Sequence, residues 1–117
     1  MAVSIDYYGH CALKIEEAQK RIAFLRRKNP NWFGGMMELT DARSLAPFGH
    51  EIAREFGIEG QCGFGLYLLD KAWLEEHHAA VEFVYQVFGT DALAITYGMD
   101  AMRPPIRDYP PMAIDGQ

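Results

Sequence analysis

Glu75-Glu76-His77-His78 places four side chains able to bind a metal or move a proton in one run. On a helix, Glu75 and His78 stand three apart on one face with Glu82 one turn beyond, a spacing that suits a transition metal held by imidazole and carboxylate. His50, followed by Glu51, could add a ligand from a neighbouring helix. A carboxylate-bridged two-metal centre needs a second Glu-x-x-His, and the chain has none. The simpler reading is an exposed polar helix face with one histidine tucked inward. His50, Glu75, His77, His78 and Glu82 are therefore the candidate ligands of an alternative metal-binding, small-molecule-binding or enzymatic role. No cofactor is expected, and no residue is assigned as catalytic or as a settled metal ligand.

Other reactive pairs are weaker. His10-Cys11 offers imidazole beside thiol, but nucleophilic catalysis needs them in contact, and neighbours in an extended strand point to opposite faces. Cys11 and Cys62 lack the paired spacing of a zinc site and read as reduced, packed thiols. The chain has no Gly-x-Ser-x-Gly and no phosphate-binding glycine loop. Gly63 and Gly65 sit inside an apolar run, where glycine lets a helix or a bulky side chain approach a sheet closely.

Binding is the better-supported role. Trp32 and Phe33 lie in a segment bounded by Gly34-Gly35, with Met36 and Met37 next and Tyr109 in a proline-rich stretch. Aromatic and methionine side chains outside a core suit protein interfaces, so these five are the interface candidates. The net charge is −5, split unevenly: residues 1–58 carry eight bases against seven acids, residues 59–117 three against nine. Such a balance argues against direct nucleic-acid binding and suits a partner protein with a basic surface. Lys20, Arg21, Arg26, Arg27 and Lys28 form the exception, read as solvated cations complementing a helix C-terminus. Nothing resembles a leader or a membrane span, so a cytoplasmic location is expected, with no membrane partner.

The elements that must position these residues follow from periodicity. Val3, Ile5 and Tyr7 alternate, Gly9 offers a turn, and Cys11, Leu13 and Ile15 alternate again, predicting a β-hairpin over 2–15, with a helix start as early as Cys11 as the competing reading. Residues 16–28 carry acids first and bases last, predicting a helix that stops before Pro30. A short strand follows over 36–39, then a helix over about 45–56 closing on Phe56-Gly57, and an apolar strand over 62–69. Asp70 caps a long helix over 71–88, and a last strand covers 91–98. The unit of helix, Phe-Gly, apolar strand and Asp thus occurs twice, ending at Asp70 and at Asp100.

This order predicts one α/β (or α+β) domain over residues 1–98. Its core is a parallel or mixed sheet of about four to five strands with three helices, in the order β(β)αβαβαβ. Residues 99–117 form an extended, proline-rich tail. In the opening hairpin, the helix ending near Asn29-Pro30, and Met37-Glu38-Leu39-Thr40-Asp41 leading into Leu45-Ala46-Pro47-Phe48-Gly49, the chain resembles the STAS-like, anti-sigma-factor-antagonist-like regulatory domains. Phosphorylatable members carry Asp-Ser-Ser-Gly-Leu where this chain has Ala46-Pro47-Phe48-Gly49-His50, so phosphoserine switching is not implied, and Ser44 reads as a loop or cap residue. What the resemblance implies, and the composition favours, is a small acidic regulatory or inhibitory protein. It acts by protein–protein interaction without catalysis, and a homodimer is possible.

Overall fold

The computed structural model describes residues 5–97 and 101–114. Residues 1–4, which include the start of the expected hairpin, Gly98, Met99 and Asp100, and residues 115–117 lie outside that description. In place of a hairpin, Ile5–Cys11 form one strand, β1, and helix α1 begins at Ile15. Gly9 sits mid-strand because the Phe64 ring occupies the space a Cβ would need, 2.5 Å from it. The glycine serves packing, and what looked like a turn is a place where an aromatic ring presses on the sheet.

Helix α1 (Ile15–Lys28) has Glu16 and Glu17 in its first turn and Arg26, Arg27 and Lys28 in its last, the arrangement that complements the backbone dipole. It ends at Asn29, and a wide turn over Trp32–Met36 leads into β2 (Met37–Leu39). A two-residue strand β3 (Arg43–Ser44) precedes α2 (Pro47–Glu55), which has proline in its first turn, where the missing N–H costs nothing. Strand β4 (Cys62–Leu68) follows, then a 3₁₀ turn over Lys71–Trp73 leading into α3 (Leu74–Phe88). The Asp70 side chain accepts from the Ala72 N–H at 2.9 Å, as its position predicts. Strands β5 (Leu93–Tyr97) and β6 (Ala101–Arg103) complete the sheet.

The expected α+β class holds, but every described strand pair is antiparallel, in the order β2-β4-β1-β5-β6 with β3 also on β4. The parallel or mixed pairing with crossovers is thereby corrected. The two Phe-Gly units end alike, with Gly57 at φ +80° and Gly89 at φ +88° reversing the chain, and each delivers a strand that flanks β1. Residues 101–103, expected as tail, pair with β5.

Alternation sorts the sheet into two faces. Tyr7, Cys11, Phe64, Leu66, Leu93 and Ile95 face α1 and α3 and form the main core with Ile22, Leu25, Val84, Tyr85 and Phe88. The other face meets α2 at one end only, through Ala53, Ile58 and Ala94 with Ala12, Leu45 and Phe56. Extended chain after β6 returns along α3. Tyr109 exchanges bonds with Thr90, its OH donates to Glu82 Oε1 at 2.7 Å, and Arg21 donates to the carbonyls of Val87 and Met112. Four of the five cations read as solvated thus have partners, Arg27 and Lys28 lying over the Phe24 ring and Arg21 and Arg26 holding the fold together. Arg21 ties the returning segment to Glu17, and Arg26 pairs with Asp41 at 2.9 Å and donates to the Leu39 carbonyl.

Candidate functional site

Because α2 covers only one end of its sheet face, a cleft of about 460 Å³ is left between the helix, β3 and the strands. Its floor is the even-numbered side of β1 and its neighbours: Tyr8 and His10 on β1, Gly63 and Gly65 on β4, Thr96 on β5. Leu45, Phe48 and Ile52 form the wall toward α2, with Arg43 and Ser44 at the edge. The glycines keep the floor low. A Cβ on Gly63 would lie 2.7 Å from the Leu45 side chain and 2.9 Å from the Gly9 carbonyl oxygen, and one on Gly65 would meet the Tyr67 ring. The expectation that these glycines admit a close neighbour is met. Phe48 is 52% exposed and Tyr8 36%, and Tyr8 stands edge-on to Tyr67 with ring centroids 6.0 Å apart.

Two histidines are buried, one on each side of the sheet. His10, 6% exposed, has Nε2 3.1 Å from Thr96 Oγ1, while its Nδ1 has no hydrogen-bond partner among the described residues. Cys11 lies on the opposite face in the core, so the two do not form a catalytic pair. His77 is fully buried against Tyr7, with centroids 4.9 Å apart. Its Nε2 donates to the Leu66 carbonyl at 3.1 Å, leaving Nδ1 an acceptor without a hydrogen-bond partner among the described residues. Burial holds the pKa of both below the ordinary 6.5, and for His77 the neighbouring His78 and Arg103 add to it against the opposing Leu66 bond and Asp6 charge. Both are neutral at neutral pH, and neutral His10 leaves the cleft floor uncharged.

A pH dependence follows. The unfolded chain takes up protons at its histidines as pH falls through 6.5, whereas folded His10 and His77 resist until lower pH. Their contribution to stability is full above that value and is lost as pH falls through the folded pKa values. Thermal midpoints are expected to drop between about pH 7.5 and about pH 5, above the range where carboxylates titrate, and His77→Gln is expected to flatten the slope. Equal midpoints across that window in the wild type would contradict the two buried neutral imidazoles.

The candidate metal ligands do not converge. His77 faces the core, while Glu75 is exposed, and His50 and His78 are half-buried on different helices. Glu82 Oε1 accepts from Tyr109 OH and from the Ile106 N–H. Among the described residues, no group of three or more His, Cys, Asp or Glu is placed to hold a metal ion. Of the interface candidates, Met37 is 1% exposed and packs in the core. Trp32, Phe33 and Met36 are half-buried against it, Trp32 standing edge-on to Phe33 and Phe83. Tyr109 is half-buried and hydrogen-bonded to α3. Sequence reasoning missed the cleft residues Tyr8, Arg43 and Phe48. Only Gly63-x-Gly65 signalled that something approaches the sheet there.

Among the described residues no helix is long and apolar enough to cross a membrane. No curated protein matches the sequence. A solved chain from the "CdiA-CT/CdiI toxin and immunity complex from Burkholderia pseudomallei" shares the fold, with TM-score 0.79 at 18% identity over 87% of this chain and 99% of that one. The STAS-like resemblance is overturned by that likeness, by a sheet antiparallel throughout its described pairs, and by the family whose model does match. The model of the CDI System Immunity Component matches residues 3–101, and the chain belongs to that family.

Proposed function

We propose that this chain is the immunity component of a contact-dependent inhibition system, and that it binds its cognate CdiA-CT toxin domain and blocks it without catalysis. The observation that carries this is the family match over residues 3–101. The fold shared with a chain of a toxin–immunity complex supports it. We place this action in the cytoplasm of the protected cell. The net charge of −5 suits a toxin with a basic contact surface, since complementary potentials speed encounter and disfavour wrong partners. Two surfaces offer contact: the aromatic turn at Trp32, Phe33 and Met36, and the cleft beside α2.

The test is co-expression with the cognate toxin domain. Growth rescue together with co-elution of the two proteins at one-to-one stoichiometry is the expected result. Affinity is expected to weaken as salt rises from about 0.05 M to about 0.5 M, where exposed charges are screened. Absence of both rescue and co-elution would overturn the assignment.

A further inference from the structure

We infer that the cleft between α2 and the uncovered sheet face receives one apolar side chain of the toxin, with a carboxylate of the toxin beside it pairing with Arg43. This rests on the toxin-binding role proposed above and gives it a place and a chemistry.

Four observations carry it. The cleft, at about 460 Å³, falls in the size range of sites that receive a bound group. Its lining is largely apolar, and two large side chains at it, Tyr8 and Phe48, stand partly in water although the main core lies just across the sheet. Apolar area left in contact with solvent in this way becomes a binding contribution once a partner covers it. The floor carries no charge at neutral pH, because His10 is buried and neutral. The only charged side chain lining the cleft is Arg43, and it has no ion pair among the described residues. Asp41, whose carboxylate feels the Arg43 charge, is already engaged by Arg26 at 2.9 Å and Gln19 at 3.0 Å. A guanidinium without an ion pair beside an apolar hollow is complementary to a hydrophobic side chain next to an acidic one. A buried anchor ringed by polar contacts is where binding energy concentrates in protein interfaces.

The experiment is isothermal titration of the purified chain with its cognate CdiA-CT domain. Wild type is compared with Arg43→Glu, Phe48→Ala and the double variant Trp32→Ala/Phe33→Ala, and each thermal midpoint is measured beside it. Arg43 pairs with Gly63 of the cleft floor, so its side chain stands on the cleft side of β3, and both Arg43 and Phe48 are exposed, so neither change enters the core. Affinity is expected to fall roughly 30-fold or more in Phe48→Ala, and roughly tenfold or more in Arg43→Glu, with thermal midpoints unchanged. Wild-type affinity in both cleft variants would overturn the inference, as would a loss confined to the Trp32/Phe33 variant. No binding by the wild type would overturn the toxin-binding role and this inference with it. Binding by the wild type that the cleft variants leave intact overturns the inference alone.

Discussion

Phe88→Ala is expected to lower the folding stability by about 3–5 kcal/mol, the range for removing a fully buried aromatic ring. Phe88 has no solvent exposure and stacks on Phe64 with ring centroids 5.2 Å apart. Phe64 in turn presses against Gly9 in the central strand, so the void would open where α3, β4 and β1 meet. Neighbours that close over the void would have to move a strand bonded on both edges, which limits relaxation. Domains of this size are stable by about 5–15 kcal/mol, so the loss is a large share of the total. The check is urea denaturation, reading a lower midpoint at unchanged slope, with Phe88→Leu as the smaller perturbation. A loss under about 1 kcal/mol for alanine would mean that the ring is not part of the main core. In cells the same variant is expected to protect poorly through reduced abundance, with its contact surfaces intact.

How much of this was legible in the sequence depends on whether the signal is local. Helix α1 was readable because its acids, its bases and the stop near Pro30 all lie within one stretch. The same holds for α3, with Asp70 before it and Gly89 after it. Strand β1 was misread because a glycine between two alternating runs has two meanings, a turn or a landing place for a ring. Deciding between them requires knowing that Phe64, more than fifty residues away, lies over Gly9. The direction of strand pairing was likewise not local. An apolar run such as Cys62–Leu68 reads as buried whether its neighbours run with it or against it, and the sheet order is set by long-range closure. Aromatic residues at Trp32 and Phe33 stood out by composition, yet they spend much of their surface against the core. The cleft is the converse case. Its lining comes from β1, β3, α2, β4 and β5, and no window of sequence contains enough of it to be recognised.

Gly63→Val is expected to destabilise the fold by about 1–3 kcal/mol and to close the cleft at the same time, and its strand neighbour Gly65 shows why. Both glycines lie on β4 and face α2, so burial and strand propensity favour valine equally at the two positions. They differ in what a Cβ would meet. At Gly65 it would be the Tyr67 ring, a side chain that can swing toward solvent about its own torsions. At Gly63 it would be Leu45, which can also turn, and the Gly9 carbonyl oxygen 2.9 Å away, which cannot, because β1 is held by β4 on one side and β5 on the other. Relief at Gly63 therefore has to come from separating two central strands or distorting the ladder. Gly34→Ala provides the baseline, since nothing lies within 4 Å of its added Cβ and its effect is expected to stay within about 0.5 kcal/mol. Denaturation midpoints for the three variants check the order, with Gly63→Val lowest, Gly65→Val between and Gly34→Ala near wild type. If Gly63→Val and Gly65→Val were equally mild, the backbone contact would not be what requires glycine in the cleft floor. A folded Gly63→Val protein that still binds the toxin domain with wild-type affinity would further show that the toxin does not use the hollow this glycine keeps open.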